Sequence, residues 1–181
     1  VINLNKKYYS WIHSVCLYQK KNKKLLTRAF NNICTDDQHL LSIGDGTEKE
    51  HLVQQANEMK CKDHIHFLGF KNNIHEYYAA SDAFVLSSDS EAMPMSVLEA
   101  SAHKLPIVST SVGGIPEIIN DDTGYLAEPG NLDSLSKSMN QLYSEPEIAT
   151  KKALKLSEMV LNEFSLDSIG SKLLDMYGIT T

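Results

Sequence analysis

The chain has 181 residues, of which 42% are hydrophobic and 22% are charged, a balance typical of a folded domain with a buried core. Its formal net charge is −6, whereas nucleic-acid-binding domains usually carry a basic surface, so we expect no nucleic-acid partner. No apolar run approaches the roughly 20 residues that span a bilayer, and no secretory signal is evident. The 3 cysteines and 7 histidines show no metal-ligand spacing, so we expect a cytoplasmic protein with reduced thiols and no metal.

Strand and helix patterns alternate along the chain. In chain order, they predict a strand at residues 9–17, a helix at 22–33, a strand at 39–43, a helix through 52–59, a strand at 65–70, a helix through 74–78, the strand Ala83–Leu86, a helix from Pro94, a strand at 105–109, a helix at 115–120, a strand at 123–129 and a helical remainder at 132–177. Strands separated by helices in this way indicate βαβ units. We therefore predict a single α/β domain with a Rossmann-like, doubly wound parallel sheet.

Local signals support several of these boundaries. Ala83–Leu86 is apolar throughout, which is typical of a parallel strand covered on both faces. Pro94 is placed to open a helix, because its missing N–H costs nothing in the first turn. Breaks near Pro146 and Ser165 divide the helical remainder, and Ser165 suits an N-cap. In a doubly wound sheet the ligand lies outside the carboxyl ends of the strands, so the loops after residues 17, 43, 67, 86 and 108 are the candidates for a site.

Two acids flank the predicted helix start at Pro94. Glu91 lies in the preceding loop, and Glu99 lies about one turn into the helix. The free N–H groups around Met95 and Ser96 form a partly positive pocket that suits a diphosphate. Each carboxylate can then accept hydrogen bonds from a hydroxylated ring on either side of that diphosphate. The simpler alternative is one loop acid and one helix acid that complements the helix dipole.

Glycine-containing turns follow two of the other strands. Gly44-Asp45-Gly46 permits a close backbone approach to a ligand, and Gly69-Phe70 allows the main chain to contact a base edge. Residues 111–117, with two adjacent glycines, form a flexible loop before another helix start. Lys20 and Lys21 follow the first strand and are within reach of the same phosphate pocket. Ordinary turns remain the alternative for both glycine motifs.

The segment from residue 87 to residue 131 carries a family resemblance. It resembles the donor-binding core of glycosyltransferase family four, of GT-B architecture, which has two Glu separated by seven residues followed by P-[IV]-V, GG-[IV]-PE and TG-[YF]-L-x-x-PG. Here these motifs are Glu91 with Glu99, 106–108, 113–117, and 123–126 with 129–130. The turns at 44–46 and 67–70 are similar to the family's GDG and FLG motifs, and the resemblance runs from about residue 15 to 177.

The resemblance implies roles for individual residues. Glu91 would contact the donor sugar near its anomeric centre, Lys21 would neutralise the leaving diphosphate, and Glu99 would hold the ribose diol. The other donor-binding residues implied are the main chain of Ala92, Met93, Pro94, Met95 and Ser96 around the sugar and diphosphate, the turn Gly44, Asp45 and Gly46, and Gly69, Phe70 and Lys71 beside the base. The donor would be a UDP- or GDP-sugar, with no metal and no other cofactor.

Two departures from the family pattern stand out. The family's first-loop G-R-L corresponds to Cys16-Leu17-Tyr18, so its diphosphate-binding arginine is missing. The loop to Lys21 is also one residue short of the family pattern, so Lys20 or Lys23 is the alternative to Lys21. The usual glycine after the first Glu is Ala92, which is strained if that backbone requires a positive φ.

The implied activity is that of a retaining hexosyltransferase that acts on a saccharide or lipid-linked acceptor, in polysaccharide or glycolipid biosynthesis. A GT-B enzyme works in a cleft between two domains, so we expect 1–181 to be the nucleotide-sugar-binding domain, with helices at about 165–181 that pack on an absent N-terminal acceptor domain. Through that absent half, peripheral association with the inner face of the membrane is expected. The alternatives are a catalytically inert nucleotide-sugar-binding module and a nucleotide-sugar 2-epimerase.

Overall fold

The computed structural model describes residues 8–15 and 19–178. The strands are β1 (Tyr9–Ser14), β2 (Gln38–Ile43), β3 (Ile65–Gly69), β4 (Ala83–Leu86), β5 (Ile107–Thr110) and β6 (Tyr125–Ala127). The helices are α1 (Lys23–Ile33), α2 (Lys49–Asn57), α3 (Ile74–Ala80), α4 (Met95–Ala102), α5 (Ile115–Ile118), α6 (Leu132–Ser144), α7 (Pro146–Phe164) and α8 (Leu166–Met176). Short 3-10 turns precede α1 and β3. The alternation of strands and helices is the one predicted.

The six strands form one parallel sheet in the order β3-β2-β1-β4-β5-β6. The chain runs outward from β1 to β3, then returns to the centre at β4 and runs outward on the other side. The strand order therefore reverses between β1 and β4, and a crevice opens there at the carboxyl ends. This confirms the predicted Rossmann-like, doubly wound sheet.

Both faces of the sheet are covered, because successive residues of a strand point to opposite faces. On one face, Trp11 packs with Phe30 of α1 and Met139 of α6. On the other, Ile12 packs with Val97 of α4 and Leu156 of α7. All of these side chains are buried. The fully apolar sequence of β4 follows from this burial on both faces.

Some element ends differ from the predictions for local reasons. β5 starts at Ile107 rather than at residue 105, because the Leu105 amide donates to the Ala100 carbonyl in the turn that ends α4. β6 starts at Tyr125 because the amide of Gly124 bonds Asn120 in a turn. Pro94 has an extended ψ of 91° and is the N-cap of α4, so it lies one position before the predicted first turn. The predicted end of the first strand, at residues 16–17, lies outside the described residues.

The helical remainder breaks at the two predicted positions. α7 begins at Pro146, and the Ser165 hydroxyl caps α8 by accepting from the Ser168 amide at 3.2 Å. α8 contributes no buried side chain and exposes an apolar stripe, formed by Leu166, Ile169, Leu173, Met176 and Tyr177. Among the described helices, none is long and apolar enough to cross a membrane.

Candidate functional site

A cavity of about 340 Å³ opens where the carboxyl ends of the strands meet. It is lined by the predicted residues Gly44, Asp45, Phe70, Lys71 and Glu99, together with Ser14, Val15, Ile43 and Ile74. The loops after β1, β2 and β3 thus converge with α4, as the parallel sheet requires. The fold brings five of the predicted donor-binding residues to one cavity.

Two glycines shape the loops at this cavity: Gly44, which lines it after β2, and Gly69, which precedes the lining residue Phe70 at the end of β3. Gly44 has a φ of 127° and Gly69 a φ of 68°, conformations that side-chain-bearing residues rarely adopt. The Gly44 amide donates to the Gly69 carbonyl at 2.9 Å, which ties the two loops together. Phe70 follows at the rim with 70% of its surface exposed. An exposed aromatic ring at a cavity mouth offers a flat apolar face to a ligand.

Glu99 reaches the cavity from the second turn of α4. Its Oε2 accepts a hydrogen bond from the buried hydroxyl of Tyr78, at 3.1 Å. No other hydrogen bond to this carboxylate is formed by the residues that the structure describes. The carboxylate is therefore held at one oxygen and leaves acceptor capacity toward the cavity.

Glu91 is engaged differently, in the loop between β4 and α4. Its Oε1 accepts from the ammonium of Lys21 at 2.7 Å and from the hydroxyl of Ser88 at 2.6 Å. The side chain of Glu91 is 8% exposed and that of Lys21 is 24% exposed. The two predicted catalytic residues thus form an ion pair with each other. Breaking such a partly buried, hydrogen-bonded pair requires a ligand that replaces its contacts.

The loop after β1 is fastened to the loop after β4 by several hydrogen bonds. The Asp89 amide donates to the Lys20 carbonyl at 2.9 Å, and the Ser87 hydroxyl donates to the Lys21 carbonyl at 3.1 Å. Asn22, with a left-handed φ of 41°, donates from its side chain to Asp89 at 2.8 Å. These bonds hold Lys21 beside Glu91.

The predicted flexible loop at 111–117 is instead closely packed. A Cβ on Gly113 would lie 1.6 Å from the Glu91 carbonyl oxygen, and one on Gly114 would lie 2.7 Å from that of Ala92. The Gly114 amide also donates to the Ala92 carbonyl at 3.3 Å. The prediction of flexibility was wrong, because the glycines allow this backbone to press against the Glu91 loop and support it.

The start of α4 has the open amides that the sequence predicted. Its first backbone hydrogen bond runs from Val97 to the Pro94 carbonyl, and no side chain caps the helix. The amides of Met95 and Ser96 are therefore left to an external acceptor. Met93 and Met95 are 43% and 60% exposed beside them. Ala92 does not have a positive φ, so the strain expected from its replacement of glycine does not arise.

The two alternatives to Lys21, which are Lys20 and Lys23, differ in accessibility. Lys23 is 4% exposed, and its ammonium donates to the Val15 carbonyl at 2.9 Å, so it is committed to the protein interior. Lys20 is exposed in the turn before α1. The predicted position of the missing arginine, at Cys16-Leu17-Tyr18, lies outside the described residues.

Two site residues were missed by the sequence reasoning. Tyr78 was identified only as a helix marker, and Ser88 only as part of the loop after β4. Ser88 lies three residues before Glu91, which places its hydroxyl next to that carboxylate in a tight loop. Tyr78 is 21 residues from Glu99, and no local spacing signals their contact.

A family model described as "Glycosyl transferases group 1" matches residues 2–159 of the chain. The N-acetyl-alpha-D-glucosaminyl L-malate synthase of Bacillus anthracis is 33% identical over 168 residues, which cover 92% of this chain and 44% of that protein. The putative glycosyltransferase EpsD of Bacillus subtilis is 30% identical over 151 residues, covering 83% of this chain and 36% of that protein. The chain thus spans less than half the length of these relatives.

Solved structures give the same picture of the fold. Alr3699/HepE of Anabaena, crystallised in complex with UDP, matches with a TM-score of 0.89 at 21% identity, over 96% of this chain and 50% of that chain. The C-terminal domain of LpcC, a glycosyl transferase group 1 family protein from Francisella tularensis, matches with a TM-score of 0.80 at 27% identity. That match covers 88% of this chain and 87% of that domain. The predicted GT-B resemblance is confirmed.

Proposed function

Because this chain belongs to the glycosyl transferases group 1 family, we propose that it is the donor-binding domain of a retaining hexosyltransferase. The donor is a nucleoside-diphosphate sugar with uracil or guanine as its base. The acceptor is a saccharide or a lipid-linked saccharide, as in polysaccharide or glycolipid biosynthesis. No metal and no other cofactor is part of the proposal. Among the described residues, no group of three or more His, Cys, Asp or Glu is arranged to hold a metal ion.

One observation carries the proposal: Glu99, which lines the cavity, lies on α4 about one turn after the uncapped start of that helix. A nucleoside placed there offers its ribose diol to Glu99 and its base to the lining residues Phe70 and Lys71, with Gly69 immediately before them in the chain. Its diphosphate then meets the open amides of Met95 and Ser96, which attract an anion without a basic side chain.

The ion pair of Lys21 and Glu91 supports the next part of the proposal. When the donor binds, the diphosphate replaces Glu91 as the partner of Lys21, and Glu91 accepts from the sugar hydroxyls. Cleavage of the anomeric C–O bond leaves negative charge on the nucleoside diphosphate. Once the donor has displaced Glu91 from Lys21, the freed ammonium and the amides at the start of α4 face that charge and stabilise the transition state.

We further propose that the acceptor is held by an N-terminal domain, against which α8 packs. The chain covers 44% of its relative from Bacillus anthracis, and the stripe of Leu166, Leu173 and Met176 is exposed. Contiguous exposed apolar surface of this kind is typical of an interface. Any peripheral contact with a membrane belongs to that other domain.

A second candidate is an inert module that binds a nucleotide sugar without transferring it. The sequence feature that favours it is the absence of the family's first-loop arginine, since a single lysine cannot form a bidentate bond to a diphosphate. Turnover by the chain joined to its acceptor domain decides between the two candidates, because an inert module binds the donor but releases no nucleoside diphosphate.

The proposal is tested by titrating the chain with UDP and with GDP in a calorimeter. We expect one of them to bind specifically, and we expect Glu99→Ala to weaken that binding at least about tenfold, because hydrogen bonds to a charged acceptor are lost. Glu158→Ala, an exposed acid on α7, is the matched control and should bind as the unaltered chain does. If Glu99→Ala and Glu158→Ala bind equally well, the assigned donor site is incorrect.

A further inference from the structure

Tyr78 is a buried tyrosine whose hydroxyl bonds Glu99, a residue that lines the cavity. Its side chain is 0% exposed and belongs to the core cluster on the α4 side of the sheet. The ring lies 6.2 Å from the ring of Phe84 and 5.5 Å from that of His103. Packed aromatic neighbours leave the ring little freedom to reorient. The position of the hydroxyl is therefore fixed by the core.

That hydroxyl is a hydrogen-bond donor to Glu99, with 3.1 Å between the two oxygens. Burial raises the pKa of Tyr78 above its ordinary value; a hydrogen bond with Ser14 lowers it, and the charge on Glu99 raises it again. The net shift is upward, so the proton stays on the phenol at neutral pH and the carboxylate remains the acceptor.

The contact occupies only one oxygen of the carboxylate. Oε2 is held by Tyr78, whereas Oε1 has no hydrogen-bond partner among the described residues, and Glu99 lines the cavity. A free glutamate side chain samples several rotamers, and fixing one of them before binding lowers the entropy cost of the complex.

We propose that Tyr78 is a positioning residue for nucleotide recognition: it holds Glu99 at Oε2 so that Oε1 faces the ribose hydroxyls. The proposal rests on the proposed function and deepens it, because it names what makes Glu99 selective for a ribose diol. A 2′-deoxynucleotide lacks one of the two hydroxyls, so the orientation of Glu99 determines how strongly it is rejected.

The test compares ribonucleotides with their 2′-deoxy forms. Calorimetric titration measures the affinities of UDP and 2′-deoxy-UDP, and of GDP and 2′-deoxy-GDP, for the unaltered chain, Tyr78→Phe and Tyr77→Phe. The control residue Tyr77 is the neighbouring tyrosine on α3, and among the described residues its hydroxyl forms no hydrogen bond with Glu99. The ratio of the two affinities is the readout, since a reduced folded fraction lowers both equally.

We expect the unaltered chain and Tyr77→Phe to prefer the ribonucleotide by about tenfold, and Tyr78→Phe to prefer it by about threefold or less. An undiminished preference in Tyr78→Phe overturns the positioning role while leaving the donor site intact. A ribonucleotide bound no better than its deoxy form by the unaltered chain overturns the role of Glu99 and of Tyr78 together. Binding of neither UDP nor GDP overturns the proposed function itself.

Discussion

At the scale of single residues, the carboxylates of Glu91 and Glu99 differ in their hydrogen-bond partners. Glu99 is held by a neutral hydroxyl, whereas Glu91 is paired with the ammonium of Lys21 and with Ser88. A neutral donor leaves the charge of Glu99 available to a ligand. The cation paired with Glu91 must be displaced first, and a diphosphate is an anion able to do so. In the proposed donor site, the nucleoside end would therefore be preorganised, and the reacting end would rearrange when the donor binds.

Lys104 has a left-handed backbone conformation, which is unfavourable for a residue that carries a side chain. It has a φ of 59° at the position where α4 ends, with its amide bonded to Ser101 and the next amide bonded to Ala100. Glycine is the preferred residue in this left-handed turn, because a Cβ is strained there. We expect Lys104→Gly to raise the free energy of unfolding by about 0.5–1 kcal/mol, measured by urea denaturation.

A matched control separates strain relief from the general effect of glycine. Lys151 is an exposed lysine inside α7, where its backbone is helical. Lys151→Gly should lower the free energy of unfolding by about 1 kcal/mol. Destabilisation by both substitutions would contradict the strain at Lys104.

Side-chain partners at the site were only partly predictable from the sequence. The spacing of Glu91 and Glu99 around Pro94 predicted that both acids lie near a helix start, because such spacing is local. The pairing of Glu91 with Lys21 joins residues 70 positions apart, and it depends on β1 and β4 being neighbours. Sequence periodicity does not reveal which strands are adjacent, so contacts across the switch point could not be derived.

At the scale of elements, the strands and helices were predictable because each carries its own hydrophobic period. The ends of the elements were less predictable, because hydrogen bonds in the adjoining turns determine where an element starts, as at Leu105 and Gly124. The close packing of Gly113 against Glu91 was also not predictable, because two adjacent glycines occur both in mobile loops and where backbones pack closely. Local patterns determine what an element is, and tertiary contacts determine where it stops.

α8 differs from the other long helices in contributing nothing to the core. Leu166 is 89% exposed, whereas Leu156 of α7 is completely buried. We expect Leu166→Ala to change the free energy of unfolding by less than about 0.5 kcal/mol, because it removes no packed contact. Leu156→Ala, the matched control, should lower it by about 2–5 kcal/mol by opening a cavity. Urea denaturation of both variants measures the difference.

A large loss of stability in Leu166→Ala would mean that α8 packs on this domain, which would argue against an interface with an acceptor domain. The small loss that we expect leaves the apolar stripe of α8 available to another domain. The stability of the chain would then be independent of the apolar character of α8, which is the result that the proposed interface with another domain requires.

At the scale of the whole molecule, the centre of the sheet contains a buried histidine. His13 lies on β1 with 0% exposure, and its Nδ1 donates to the Val85 carbonyl at 2.7 Å. Its Nε2 has no partner among the described residues. Burial, with a smaller contribution from Lys23, lowers the pKa of His13 to about 3. His39 and His66, which share a 3.0 Å hydrogen bond, also have lowered pKa values, because of burial and neighbouring histidines.

These shifts predict that mild acid destabilises the fold. A histidine with a lowered pKa binds its proton more readily in the unfolded chain, so its contribution is fully present above the unfolded pKa of about 6.5 and is lost as the pH falls below that value. For His13, whose folded pKa is about 3, the free energy of unfolding should fall by about 2 kcal/mol between pH 7 and pH 5. Urea denaturation at the two pH values measures this difference.

Substitution of His13 tests whether the acid sensitivity arises at the centre of the sheet. Asparagine at position 13 keeps an N–H donor for the Val85 carbonyl but has no imidazole to protonate, so His13→Asn should lose less stability between pH 7 and pH 5 than the unaltered chain. His51→Asn, at an exposed position on α2, should lose as much as the unaltered chain. An equal loss in His13→Asn would mean that the acid sensitivity arises elsewhere, and the His39–His66 pair, whose pKa values are also lowered, would be the next position to substitute. The expected result links the stability of the whole domain to β1, the strand whose carboxyl end borders the proposed donor site.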